Sequence, residues 1–334
     1  MDMMNALVYT GTRQMDYQRQ ALPRPGPGEA LVKIEAVGIC GSDMHAYHGH
    51  DPRRVPPMVL GHEAAGRVLE GRLAGRRVTM NPIAFCGECE YCLGGRQNLC
   101  QNRTMIGMSL PGAFAEYIRV PEQCLIELPE EADPAVAALT EPAATALHAV
   151  DAAERLAGQP VSAGSALVIG AGAIGLLTAL ILKARGCRHI VIAETNPLRR
   201  ATAQAADCGE VLDPAGAGGE AGGFALVFDA VGASATRRRA IEAVRPGGVI
   251  VHIGLLEDGG DFDVRRLTLA EVVFAGVYTY SQNDLRTAAR MLLDGALGGL
   301  GWVAHRGLPE GAQAFVDLHE GREAAAKVIL VPGT

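Results

Sequence analysis

The 334-residue chain is poor in aromatic residues, at 4 % with a single Trp, and poorer still in lysine: of its 30 basic residues only Lys33, Lys183 and Lys327 are lysines. Arginine beside abundant alanine and glycine follows GC-rich codons, so this imbalance reads as genome bias rather than function. A basic excess is also missing. The formal net charge is −7, and an acidic balance argues against a nucleic-acid-binding face. No apolar run is long enough to span a bilayer; the longest lies near residues 174–182 and falls well short. The opening MDMMNALVYTGTRQMDYQRQ lacks a basic stretch followed by an apolar one, so no signal peptide and no membrane partner are expected, and a cytoplasmic location is. A disulfide framework is lacking as well. Four of the eight cysteines crowd into residues 86–100 and the others stand at 40, 124, 187 and 208. In a long chain without a leader, such clustering points to metal binding rather than to disulfides.

The chain is 49 % hydrophobic and 20 % charged, which excludes a disordered protein, and its length suggests two domains. The front is β-rich, with short strands expected in residues 30–40, 66–80 and 114–120 between Gly- and Pro-rich turns, a pattern suited to a small barrel. From residue 133 an Ala-rich stretch predicts helix, interrupted at Glu141–Pro142. Strands and helices then alternate: SALVIG, AIGLLTALILKARG, HIVIAE, PLRRATAQAA, FALVFDAV, ATRRRAIEAV and GGVIVHIG. That alternation predicts a parallel sheet covered by helices, hence an α/β fold. The Gly-rich run 215–223 reads as a loop, the apolar run 272–277 as an edge strand that invites pairing with another chain, and KVILV as a closing strand.

Three groups of residues carry chemistry. Gly170-x-Gly172-x-x-Gly175 follows an apolar strand and opens a helix through Ala173 and Ile174, and the next strand ends in Glu194. This is the setting of a dinucleotide fingerprint: a tight turn, close approach of the pyrophosphate, and close helix–strand packing. Phosphates would sit at the helix N-terminus. Glu194 would accept from both ribose hydroxyls and repel a 2′-phosphate, favouring NAD over NADP, although Arg199 and Arg200 lie close by. Val231 and Gly254, near the ends of later strands, complete the expected cofactor set. Cys86-x2-Cys89-x2-Cys92-x7-Cys100 offers four thiolates for a closed, structural zinc. The rival is an iron–sulfur cluster, but the ferredoxin run places its fourth Cys after three residues and before Pro; here the gap is seven and Gln101 follows. Finally Cys40 in GICGSDMH, His62 and Glu63 in GHE, and Glu141 before Pro142 supply thiolate, imidazole and carboxylate. A catalytic zinc needs three protein ligands and an open position, although each of these residues alone has a plain reading as core or surface.

In this order, the motifs resemble those of the zinc-dependent medium-chain alcohol dehydrogenases, within them the polyol branch of sorbitol, galactitol and threonine dehydrogenases. The resemblance runs over essentially the whole chain, to the closing K-V-I-L. It implies a GroES-like β-barrel catalytic domain at residues 1–148 and 283–334, and a Rossmann doubly wound NAD-binding domain at 149–282. It implies Cys40 and His62 as catalytic zinc ligands, with Glu63 or Glu141 as the third, Asp43 orienting the ligating His, and Ser42 and His45 as a proton relay through the cofactor ribose. The implied reaction takes hydride from a secondary alcohol, a polyol or sugar alcohol, to NAD and yields the ketone, in a homodimer or homotetramer. Two departures stand out. Gly75-Arg76-Arg77-Val78 replaces the common Gly-Asp-x-Val turn, and Thr279 stands where polyol enzymes often carry an arginine for substrate hydroxyls, so strict sorbitol specificity is not implied. Tyr47, His48 and Tyr117 are pocket-lining candidates with ordinary packing as the alternative. A threonine-like or simple secondary alcohol substrate remains an alternative. Primary-alcohol and formaldehyde relatives usually carry Cys where Glu141 stands, and catalytically silent relatives lack the metal residues retained here.

Overall fold

The computed structural model describes residues 2–216, 222–260 and 262–333; most of the Gly-rich run 215–223 lies outside the described residues. The chain begins with β1 (Met3–Gly11), β2 (Gln14–Ala21) and β3 (Glu29–Gly38), then α1 (Gly41–Tyr47), β4 (Met58–Val59), β5 (Glu63–Glu70) and β6 (Arg77–Met80). A lobe built on β7 (Ile83–Ala84), α2 (Glu90–Leu93) and β8 (Thr104–Met105) leads to β9 (Tyr117–Pro121) and β10 (Leu125–Glu127). Helices α3 (Pro134–Ala138) and α4 (Thr140–Ala157) follow. Next come β11 (Ser165–Ile169), α5 (Ala173–Ala184), β12 (His189–Ala193), α6 (Pro197–Ala205), β13 (Glu210–Leu212), β14 (Phe224–Asp229) and α7 (Ser234–Ala243). The rest is β15 (Val244–His252), α8 (Val264–Leu269), β16 (Val273–Gly276), α9 (Gln282–Leu293), β17 (Val303–Gly307), α10 (Gly311–His319) and β18 (Lys327–Val331).

Two sheets organise these elements. The front one has the order β10-β6-β5-β3-β18-β17, with β9 also on β3, and β1 pairs separately with β2 and β4. The strand expected across residues 66–80 is thus split into β5 and β6, which turn back on each other as an antiparallel pair. The second sheet has the order β13-β12-β11-β14-β15-β16. All its neighbours are parallel. Counted within that sheet, the order is 3-2-1-4-5-6, that of a dinucleotide-binding fold, which opens a crevice where the order reverses between β11 and β14. The run 272–277 contributes β16, an edge strand of this sheet.

The helix break expected at Glu141–Pro142 lies instead at Leu139, between α3 and α4. Pro142 is the third residue of α4. In the first turn its missing N–H is no loss, because that group has no partner within the helix. Alanines bury α4 on both sides, against α5 and α9. One core cluster spans the two sheets: Ala36 and Ile329 come from the front sheet, Val168 from the parallel sheet, Leu147, Leu176 and Leu285 from the helices between, and Trp302 from the loop before β17. Trp302 is the single Trp of the chain, so its fluorescence reports on this shared core. Leu285→Ala is expected to lower unfolding stability by about 2–5 kcal/mol, the usual range for emptying a closed core site. Urea titration followed by Trp302 emission measures it, and an unchanged midpoint would contradict a core common to both sheets.

Candidate active site and metal centres

Strand β3 ends at Gly38, and two residues later Cys40 stands at the N-terminus of α1. Its N–H donates to Asp43 Oδ2 at 3.0 Å, which fixes the turn into the helix. Strand β5 runs antiparallel to β3 and pairs Glu63 with Gly38, so His62 and Glu63 arrive beside Cys40. Ligand atoms of Cys40, His62 and Glu63 all lie within 4.8 Å of one another. A Cβ on Gly38 would collide with the Glu63 side chain, so only glycine leaves room there.

The chemistry of this set suits a divalent metal. His62 Nδ1 faces Asp43 Oδ1 at 3.5 Å, and His62 Nε2 faces Ser42 Oγ at 3.5 Å. A carboxylate behind one ring nitrogen orients the other as a ligand. Burial alone would lower the His62 imidazole, but Asp43 and Cys40 outweigh it and hold the group well above its ordinary value. Burial likewise pushes Asp43 up, yet His62 and Arg54 leave it below the ordinary carboxylate range. Glu63 is fully buried and takes both oxygens to Lys327 Nζ, at 2.7 and 2.6 Å. Lys327 Nζ also donates to Ile39 O at 2.9 Å. Burial disfavours the Lys327 ammonium, but the Glu63 charge beside it holds its pKa above the ordinary lysine value.

Glu141 stands in the first turn of α4, close enough to interact electrostatically with His62 and Glu63. Its Oε1 accepts from the Tyr280 hydroxyl at 2.9 Å. Burial pushes its carboxyl up to about 7, and the Glu63 charge adds to the rise against the pull of His62, Tyr280 and Lys327. Tyr280 sits on the loop between β16 and α9. Thr279 before it has φ 49, a conformation costly for a β-branched residue, and its Oγ1 is buried without a partner among the described residues. Tyr47 is buried against Phe315, His48 meets His319 at 2.9 Å, and Tyr117 packs on the Met4–Val8 side of β1. All three therefore have ordinary packing partners. His45 is held below its usual value by burial, then by His50 and Arg54.

The four-cysteine lobe closes on itself. The sulfurs of Cys89 and Cys92 are 3.5 Å apart, those of Cys86 and Cys100 3.5 Å, and those of Cys86 and Cys92 3.9 Å. Disulfide sulfurs would be about 2.05 Å apart, whereas Zn–S bonds of about 2.3 Å in a tetrahedron separate sulfurs by about 3.8 Å. Backbone N–H groups of Glu88 and Cys89 pull the Cys86 thiol down to about 6, toward the thiolate a metal requires. Cys124, Cys187 and Cys208 are buried and free.

In the parallel sheet, the glycine loop follows β11 at the crevice. Gly172 caps α5. A Cβ on Gly175 would run into the Gly170 carbonyl, so its bare backbone is what lets helix and loop pack together. Glu194, just past β12, accepts from Ala171 N and Asn196 N, both at 2.8 Å. The loop and the acidic residue are thereby tied together. Arg199 Nε is buried without a partner among the described residues, while Arg200 is engaged with Asp213 at 3.0 Å. Asp229, which sequence reasoning did not single out, accepts from Val231 N at 3.0 Å and Gly232 N at 2.9 Å and shapes the loop that carries Val231. Gly254 N donates to the Asp229 carbonyl at 3.0 Å. Lys327, Tyr280 and Arg54 were also missed. Only Lys327 left a trace in the sequence, as one of three lysines in an arginine-rich chain.

Residues 26–130 match the alcohol dehydrogenase GroES-like domain, and residues 173–294 match the zinc-binding dehydrogenase domain. The chain is 34 % identical to L-galactonate-5-dehydrogenase of Escherichia coli over 92 % of either protein. It is 30 % identical to L-threonine 3-dehydrogenase of Mesorhizobium japonicum, over 98 % of this chain and 99 % of that one. Its fold is similar to that of acetophenone reductase from Geotrichum candidum in complex with NAD, with TM-score 0.88, 26 % identity and coverage of 98 % and 97 %. Among the described residues no helix is long and apolar enough to cross a membrane. Full-length similarity to enzymes that act on alcohol groups, with both family domains in sequence, decides the assignment: this chain belongs to the zinc-dependent alcohol dehydrogenase family and is a zinc- and NAD-dependent oxidoreductase.

Proposed function

We propose that the enzyme oxidises a secondary alcohol within a polyol or sugar-derived chain to the ketone, with Cys40, His62 and Glu63 holding the catalytic zinc. The observation that carries this reading is the convergence of those three ligand atoms within 4.8 Å behind the Ser42 hydroxyl. When bound, zinc supplies Lewis acidity toward an alcohol oxygen, and the nicotinamide accepts hydride. The protein's own groups handle the proton. Ser42 Oγ takes it from the substrate hydroxyl, and His45, held below its usual value by burial and its neighbours, is a neutral acceptor on the way to solvent. Asp43 keeps His62 oriented. Glu141, pushed up to about 7 by burial, is a group that can give up a proton when charge develops beside it. Cys86, Cys89, Cys92 and Cys100 hold a second, structural zinc.

The division into residues 1–148 with 283–334 and residues 149–282 belongs to this reading. So does assembly as a homodimer or homotetramer through β16, supported by its place at the edge of the parallel sheet and by exposed Val264, Leu269 and Val273 nearby. Substrate hydroxyls would meet Thr279 rather than an arginine, which favours relatives of sorbitol over sorbitol itself.

Three measurements test the assignment. Metal analysis should find about two zinc per chain, about one in Cys100→Ser and about one in Cys40→Ser, with turnover abolished in Cys40→Ser while NAD binding survives. Iron in place of zinc, or activity in Cys40→Ser, would overturn it. Glu194→Ala should lower the NAD-over-NADP preference in kcat/KM by roughly ten-fold, the scale of one charged hydrogen-bonding interaction; an unchanged ratio would remove its ribose role. A panel of polyols, vicinal diols, sugar acids, threonine and simple secondary alcohols should give its highest kcat/KM on a polyhydroxy substrate, and a preference for primary alcohols would refute the substrate class.

A further inference from the structure

Arg54 belongs to none of the motifs, yet its side chain is 0 % exposed and its guanidinium lies directly behind Ser42. Nε donates to Gly107 O at 2.9 Å. Nη1 donates to Ser42 O at 2.8 Å and to Asp51 Oδ2 at 2.9 Å. Nη2 donates to Ser42 Oγ at 3.2 Å. Asp51 does not neutralise this charge alone, because it also binds Arg53 Nε at 2.8 Å and Nη2 at 3.0 Å.

We infer that Arg54 is the positioning residue of the proton relay, setting the direction in which the Ser42 hydroxyl passes a proton. Arginine has donors and no acceptor, whereas a hydroxyl has one hydrogen and two lone pairs. At the Arg54 contact Ser42 Oγ must therefore accept, and its own hydrogen points elsewhere. One lone pair is left for the substrate. As the substrate O–H bond breaks, its electron pair stays on the substrate oxygen, the proton joins Ser42 Oγ, and the hydrogen already on Ser42 leaves outward. The buried cation opposes a resting state with two hydrogens on Ser42, so transfer in and transfer out are coupled. The Arg54 charge also helps keep His45, the outer acceptor, below its usual value, after burial and His50. A structural staple would need the contacts to Ser42 O, Asp51 and Gly107; it would have no use for the fourth, to Ser42 Oγ.

This inference rests on Ser42 being the relay hydroxyl, and a double-mutant cycle separates the two. Arg54→Met and Ser42→Ala, alone and together, are compared in zinc-loaded enzyme for kcat, KM and the solvent deuterium isotope effect on kcat. Zinc content, NADH affinity and Tm are measured in parallel. Arg54→Met should lower kcat about ten-fold, within the range of acid–base assistance, with KM little changed and a larger isotope effect, and should slow the Ser42→Ala enzyme no further. Equal slowing by Arg54→Met in both backgrounds overturns the inference and leaves the relay standing. Unchanged kcat in Ser42→Ala overturns both. Should Arg54→Met fail to fold, Arg54→Lys keeps the charge but cannot reach both the Ser42 carbonyl and its hydroxyl. It should show the same non-additive loss with Ser42→Ala, and wild-type kcat with a wild-type isotope effect would overturn the proposal.

Discussion

A lysine close to the end of the chain meets a glutamate 264 residues earlier, both buried, at 2.6 Å. Much of the site depends on that pair. Removing two charges from water is costly, and the attraction between them offsets it only when the geometry is good and the spare donors are satisfied. Here Lys327 binds both Glu63 oxygens and the Ile39 carbonyl. What the pair gives is register. Strand β18 lies antiparallel on β3, with Ile329 opposite Gly38, and a slip of one residue would turn Lys327 to the opposite face and strand Glu63 in the core. The ammonium thus fixes β18, β3 and β5 relative to one another, and with them Cys40 and His62.

Two neighbouring carboxylates, Glu63 and Glu141, have different partners. Glu63 meets the Lys327 ammonium with both of its oxygens. Glu141 is as deeply buried but has a tyrosine hydroxyl as its partner and Glu63 as a like-charged neighbour, so its carboxyl rises to about 7. Spacing leaves the third metal ligand open between these two residues; the ligand atoms of Glu63 lie within 4.8 Å of those of Cys40 and His62.

What was legible in the sequence was mostly what is local. Gly170, Gly172 and Gly175 lie within six residues, and their spacing states a turn. The four clustered cysteines lie within fifteen residues and close on one another as their spacing suggests. The alternation after residue 165 fixes a parallel sheet, because buried strands and amphipathic helices have different periods. The misplacement of the break near Pro142 followed from treating proline as a breaker without asking which turn it occupied. Arg54, Tyr280 and Lys327 were beyond reach for a different reason. Each finds its partner across 12, 139 or 264 residues, and no periodicity encodes a contact between segments that only the fold brings together.

The cysteine lobe is joined to Glu141 through the loop that carries Tyr278 and Tyr280. Asn98, between Cys92 and Cys100 and nearly buried, donates to the Tyr278 carbonyl at 2.7 Å, and the Arg103 guanidinium stacks over the Tyr278 ring at 5.2 Å. Two residues on, the Tyr280 hydroxyl reaches Glu141. Between those two anchors Thr279 is held at φ 49, a conformation that a threonine keeps only when its neighbours over-determine it. The lobe has too little apolar interior to hold its own shape, since two of its four cysteines are only half-buried. Closing it on a metal would supply that rigidity, and through Asn98 the rigidity would extend to the loop on which Tyr280 is carried. The four-cysteine lobe and Glu141 are thus linked by two hydrogen bonds and a short stretch of strained backbone.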